Sequence, residues 1–301
     1  MIYFLQLLLT GVAVGCIYAL AALGFVLIYK SSRVINFAHG ELIAIGAFAV
    51  FGLTVWAGLN IWLALALALA LMFFLGRGIE RLFLRPMVGE PIISVIMVTI
   101  GLASLLSGLV YFTPFGTLTA RYPNFLPQVP LRFNVAGGTL ILRWEQALAI
   151  LFTLVFIALL MWFFKRSTLG IAMRAVADDQ LASLSVGVSV ERVFGLAWAA
   201  AGLSATAAGF IVGGLYGLEF SGLTAVGLRV FPAVILGGLD SIAGAVVGGI
   251  LIGVLEQLSS GYLDTYVPGG GTGEVFPFIV LLLILLIKPH GLFGTEEIER
   301  V

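Results

Sequence analysis

Five stretches of this chain contain no Asp, Glu, Lys or Arg: Met1 to Tyr29, Leu42 to Gly76, Pro91 to Ala120, Gln146 to Phe164 and Val193 to Leu218. A helix needs about 20 apolar residues to cross the hydrocarbon of a bilayer, and several of these runs reach or exceed that length. Lipid offers the backbone no hydrogen-bond partners, so spanning structure is confined to helices and closed barrels. A barrel would alternate apolar and polar positions over segments of about 10 residues, and these runs do not alternate. The expected fold class is therefore all-α: a polytopic transmembrane helical bundle, one domain over residues 1–301, with about eight or nine spans and at least one broken or re-entrant segment.

Composition agrees. Hydrophobic residues make up 61% of the chain and charged residues 10%, against about 25% charged in a soluble domain. The 15 basic and 15 acidic residues cancel, so no nucleic-acid partner is expected. A single cysteine, Cys16, excludes an intrachain disulfide. Gly15-Cys16 looks faintly like a lipoprotein cleavage site, but no basic n-region precedes it, and the first apolar run continues to Tyr29 as a span rather than a cleaved signal.

The basic residues cluster at Lys30 and Arg33; at Arg77, Arg81 and Arg85; at Lys165, Arg166, Arg174 and Arg192; and at Lys288 and Arg300. Cytoplasmic loops carry the Lys/Arg excess. With all four clusters inside, the N-terminus is outside and spans run near 4–29, 34–56, 60–76, 91–113, 145–164 and 193–216. A short descending segment near 224–238 then meets a turn at Gly238 to Ser241, a rising helix near 242–258 and a last span at 274–288. Nine crossings result, or eight if the short segment is re-entrant. Pairs such as Gly11/Gly15, Gly209/Gly213, Gly244/Gly248 and Gly249/Gly253 suit close helix packing, within the chain or against another subunit. The outer loop 114–144, with its strand-like TLILRW, exceeds an ordinary connection and is a candidate docking surface.

Within the inner segment 165–192, Ser167 or Thr168 suits the N-cap of a short helix to about Val176. Asp178 or Asp179 suits the cap of a second helix to Val186, which Gly187 would end in a left-handed conformation. The result is either a solvated connector or a compact docking knob. Asp240 reads most simply as the N-cap of the rising helix, and Gly237, Gly238 and Asp240 together as a helix break.

NFAHGE, Asn36 to Glu41, places ionisable groups at the head of an apolar run, and such groups usually face a cavity or the bundle interior. His39 and Glu41 point about 200° apart on a helix and form no pair. Asn36 and His39, three apart, would share a face near the inner interface. They either satisfy a helix start or, with Phe37, Glu41 and Thr99, line a pathway. The chain has no H-E-x-x-H, G-x-S-x-G or P-loop, so no catalytic residue, metal site or bound ATP is expected, and any energy source is another subunit.

GCIYALAAL (Gly15 to Leu23), RVINFAHGELIAIGAF, LGIAMRAVADDQLASLSVGV, FPAVILGGLDSIAGAVVGGILIGVLE and the closing KPHGLFG together resemble the permease subunits of branched-chain amino acid ABC importers, in particular the shorter of the two paralogous permeases. The resemblance implies a bacterial inner-membrane importer. Its pathway lies between two permeases, this chain with a paralogue or a second copy. Two cytoplasmic ATPases supply ATP and Mg, and a periplasmic binding protein delivers the solute. It also implies that Arg174, Ala175, Ala177, Asp178, Asp179, Ala182 and Gly187 belong to the loop that sits in a groove of the ATPase, and it favours the outer loop as a binding-protein surface. Relatives are associated with branched-chain amino acids, urea, short amides or aromatic acids, so the solute stays open. A self-contained channel or secondary carrier is the reading if no ATPase partner exists.

Overall fold

The computed structural model describes residues 1–294 except 124, 128, 136–137 and 179, with the backbone alone at 135, 164–165, 177–178 and 180–181. The helices are α1 (Ile2–Ser32), α2 (His39–Val55), α3 (Ile61–Ile79), α4 (Ile92–Tyr111), α5 (Trp144–Arg166), α6 (Thr168–Asp178), α7 (Gln180–Ser185), α8 (Val190–Tyr216), α9 (Phe220–Gly237), α10 (Ile242–Leu263) and α11 (Thr272–Ile287). Among the described residues seven helices are long and apolar enough to cross a membrane, and α2 and α11 are shorter apolar helices. The only strands among the described residues are β1 (Leu131–Val135) and β2 (Gly138–Leu142), an antiparallel pair with Leu131 opposite Leu142. TLILRW thus contributes a strand, but Trp144 already opens α5.

Two boundaries differ from expectation. The third span does not stop at Gly76: the helix runs to Ile79 and continues as a π-turn, Glu80–Leu84, and a short 3-10 turn, Arg85–Met87. Charge does not end it because Glu80, 0% exposed, is paired with Arg85. The segment read as short, 224–238, is an 18-residue helix that begins at Phe220 and carries Pro232 within it. It is long and apolar enough to cross.

The described chain gathers into two compact units, one of residues 23–125 and 154–228, the other of 1–22, 126–153 and 229–301. In the first, α8 is the central helix, as its mostly buried sequence requires. Backbone meets backbone there through glycine: a Cβ on Gly76 would overlap the Trp198 carbonyl, one on Gly202 the Met72 carbonyl and one on Gly209 the Ile43 carbonyl. A Cβ on Gly46 would stand 2.7 Å from Thr206 Cα. The first part of the outer loop is tied down by Tyr122, 7% exposed, whose hydroxyl donates to the Ala47 carbonyl at 2.9 Å. Burial pushes the Tyr122 phenol far above its ordinary pKa, so it remains a donor.

In the second unit, the start of α1 crosses α10. A Cβ on Gly11 would lie 2.7 Å from Val254 Cα and one on Gly15 2.5 Å from Ile250 Cα, so the small-residue pairs serve packing within the chain. Tyr18 of α1 donates its hydroxyl to Glu256 of α10 at 2.5 Å, and Arg229 of α9 pairs with Glu274 of α11. The tail returns to the end of α9: Leu292 N–H donates to the Leu236 carbonyl at 2.8 Å and Phe293 N–H to the Gly237 carbonyl at 3.1 Å. KPHGLFG therefore closes carbonyls that a helix end leaves without partners.

Candidate functional site

The NFAHGE segment is a helix break within the bundle. α1 ends at Ser32, Arg33 takes a left-handed φ of +56°, and regular helix resumes only at His39. Asn36 is 1% exposed, Ala38 and His39 0%. A Cβ on Gly24 would overlap both the His39 ring and Ser204 Oγ, so α1 carries glycine where the imidazole enters between α1 and α8, and the Phe25 ring lies 4.4 Å from that imidazole. Gly24 is six residues before Lys30, about 9 Å along the axis. His39 thus packs level with Gly24, inside the run of α1 and α8, and α2 is a 17-residue helix.

Non-helical backbone at that depth must be buried in protein or line a cavity. Thr99 and Asn36 meet the requirement. Thr99, 0% exposed, has one hydroxyl proton, shared between the Ile96 carbonyl of its own helix at 2.8 Å and the Ile35 carbonyl at 3.3 Å, and its oxygen accepts from Phe37 N–H at 3.4 Å. Asn36 Oδ1 accepts from Ala38 N–H at 3.0 Å. Asn36 precedes the helix that His39 begins, so the expectation that both share a helical face is corrected: both are parts of the break. Thr99→Val, which keeps the shape and removes the hydroxyl, is expected to cost about 1–3 kcal/mol by leaving buried backbone groups without a partner. Thermal unfolding of the purified protein measures it, and an unchanged midpoint would refute the bracing role.

Phe37 is 37% exposed. Glu41, in the first turn of α2, accepts from Ser107 Oγ at 3.3 Å and is partly exposed. The structure therefore brings Asn36, Phe37, His39, Glu41 and Thr99 to one break. Gly237, Gly238 and Asp240 belong to the other unit: α9 ends at Gly237 and Gly238 has φ +104°. The cap of α10 is Ser241, not Asp240; Ser241 Oγ accepts from Gly244 N–H at 3.0 Å because Ser241 occupies the extended residue next to the helix.

The segment between α5 and α8 forms the expected two-helix knob. Ser167 Oγ accepts from Gly170 N–H at 2.8 Å and opens α6. Beyond α7, Gly187 has φ +84°, its N–H donates to the Leu184 carbonyl, and Val188 N–H donates to the Ser183 carbonyl. That pattern is a Schellman ending, which glycine permits. Met173, Val176 and Ser183 are buried, Ala175 is half-buried, and Arg174, Ala182 and Gly187 are exposed. The side chains of Ala177 and Asp178, and Asp179 itself, lie outside the described residues. Sequence reasoning missed the exposed apolar groups here: Leu184 is 54% and Val186 76% exposed.

It also missed the clamp beneath the knob. Arg85 Nη2 lies 3.1 Å from Glu80 Oε2, and Nη1 lies 3.0 Å from Glu191 Oε2 in the first turn of α8. One guanidinium thus joins the end of α3 to the helix that leaves the knob. The only available signal was the spacing of Glu80 and Arg85 past an apolar run.

Among the described residues no group of three or more His, Cys, Asp or Glu is placed to hold a metal ion. The profile of the branched-chain amino acid transport system permease component matches residues 7–287. The chain is 32% identical to the high-affinity branched-chain amino acid transport system permease protein LivH of Salmonella typhimurium, over 100% of this chain and 98% of that protein. It is 30% identical to the corresponding BraD of Pseudomonas aeruginosa, over 99% and 98%. Among solved structures it aligns with PsaBC of Streptococcus pneumoniae, bound to a Fab, at 12% identity and a TM-score of 0.47, over 96% of this chain and 93% of that one. This multi-pass membrane chain belongs to the family of branched-chain amino acid transport permease components.

Proposed function

We propose that the chain is a permease subunit of an ATP-driven importer in the bacterial inner membrane, translocating branched-chain or related hydrophobic amino acids delivered by a periplasmic binding protein. A second permease, a paralogue or another copy, completes the pathway. Two cytoplasmic ATPases hold the ATP and Mg, and this chain holds no cofactor. The observation that carries the reading is the knob. Two short helices, the second closed by the Schellman turn at Gly187, present Leu184 and Val186 outward on a segment that also carries exposed Arg174, a surface suited to a protein groove rather than to water. Closure of an ATPase dimer against such a rigid body moves it as a unit, switching a two-state permease between its openings.

The test uses the assembled importer in proteoliposomes. Leu184→Glu with Val186→Glu is expected to lower ATP-driven leucine uptake about tenfold or more, by placing desolvated charge in the interface. Permease content of the membrane should stay at the wild-type level. Full uptake by the double variant would overturn the docking role, and uptake of urea or acetamide in place of leucine would redirect the substrate assignment within the family.

A further inference from the structure

Glu41 is the only acidic residue of α2, whose other residues are apolar or small except His39 and Thr54. Carboxylates elsewhere among the apolar helices have partners: Glu80 has Arg85, Glu274 has Arg229, and Glu256 accepts from the Tyr18 hydroxyl and lies in the field of Arg229. Glu41 accepts from a neutral hydroxyl, that of Ser107 on α4 at 3.3 Å, and among the described residues no cation is paired with it. A carboxylate offers about four acceptor positions on its two oxygens, so one hydroxyl leaves most of that capacity unused.

The Glu41 side chain is partly exposed, two residues along α2 from the buried His39 that packs against Gly24 of α1. An ionisable group placed in this way in a membrane chain faces the bundle interior or a water-filled cavity, and it marks a solute path more often than a packing contact. Interior packing does not describe a carboxylate that is both partly exposed and without a cation. The neighbouring surface of α4 is also open: Gly108 directly follows Ser107, and a Cβ added there meets nothing within 4 Å. All of these residues belong to one compact unit.

We propose that Glu41 stands on the solute pathway and takes the ammonium group of the imported amino acid, with Ser107 as the positioning residue that holds the carboxylate. The proposal rests on the permease reading above, in which a second permease completes the pathway. An ammonium group brings the missing cation and three N–H donors. Urea or a short amide brings no charge, and an acid without an amine meets Glu41 with like charge. Glu41 thus selects amino acids at the permease itself, after any selection made on delivery. A single charge-assisted contact also suits transit, which requires binding firm enough for entry and weak enough for release.

The experiment uses the complete importer in proteoliposomes with leucine as probe. Glu41→Gln keeps an acceptor for Ser107 and removes the charge. Leucine imported per ATP hydrolysed should fall about tenfold, the loss of one charge-assisted contact, while the unfolding midpoint of the purified complex stays unchanged. Glu41→Asp, which keeps the charge, should retain about threefold more uptake than Glu41→Gln. Ser107→Ala should lower uptake about threefold in the wild-type background and have no further effect on Glu41→Gln, because a group that acts through the carboxylate then has nothing to position. Glu41→Cys should react with a membrane-impermeant methanethiosulfonate, and leucine should slow that reaction; the native Cys16 is buried, so wild type should not react. This labelling reads the position of residue 41 even where uptake is lost. Wild-type uptake by Glu41→Gln, or no labelling of Glu41→Cys, overturns the proposal and leaves the permease reading intact. Absence of ATP-driven leucine uptake by the wild-type importer sinks the permease reading and this assignment with it.

Discussion

Arg85→Ala is expected to lower stability by about 3–5 kcal/mol, because it strands a carboxylate that has no access to water. Glu80 is 0% exposed, and both of its oxygens accept from Arg85, Oε1 from Nε at 3.3 Å and Oε2 from Nη2 at 3.1 Å. A Cβ on Gly195 would stand 3.1 Å from Glu80 Oε2, so α8 closes over one side of the carboxylate. Adding Glu80→Gln to Arg85→Ala removes the stranded charge and is expected to recover part of the loss. Glu191→Gln alone acts on a side chain that is 58% exposed, and surface pairs contribute about 0–1 kcal/mol. Thermal unfolding of the purified variants separates these cases. An Arg85→Ala midpoint equal to that of Glu191→Gln would mean that Glu80 needs no partner. In the ATP-driven importer proposed above, Glu191→Gln tests transmission without the stability loss: it cuts the tie from α3 to α8 while the buried pair stays intact.

The features legible in the sequence are those fixed by neighbours in the chain. Runs without charge set the helices, Ser167 and Gly187 set the ends of the knob, and Gly238 sets the end of α9, each through a backbone requirement of its own segment. The permease motifs were legible as a pattern, but their physical roles were not. Asn36 and His39 look like one helical face in the sequence, yet Thr99, 63 residues beyond Asn36, bonds the non-helical backbone on either side of Asn36. KPHGLFG looks like a closing tag, yet it supplies N–H donors to carbonyls at Leu236 and Gly237. Asp240 has the chemistry of a cap, but the helix begins one residue too late for it. In the first two cases the deciding partner is remote in sequence and local propensity carries no record of it; in the third it is the neighbouring Ser241, which takes the cap position instead.

The same limit governs glycine, and it sets the second large effect. Gly40, in the first turn of α2, faces α9 so closely that a Cβ would overlap the Thr224 carbonyl; a Cβ on Gly227 would stand 2.5 Å from Gly40 Cα. The obstructing atoms are backbone, which no rotamer change can move aside. Gly40→Ala and Gly227→Ala are each expected to destabilise by about 1–3 kcal/mol or more through overpacking. Together they should cost less than the sum, since either one already separates the helices at the same crossing. Gly101 and Gly108 on α4 have nothing within 4 Å of an added Cβ. There the intrinsic preference of a helix for alanine over glycine, about 1 kcal/mol, is unopposed, so Gly101→Ala and Gly108→Ala should be neutral or stabilising. The four variants differ from wild type by the same methyl group, so only the helix crossing separates the pairs. Equal unfolding midpoints for Gly40→Ala and Gly101→Ala would show that α2 and α9 can part freely. A large difference would fix the start of α2 against α9 as a rigid crossing, around which the NFAHGE break is held.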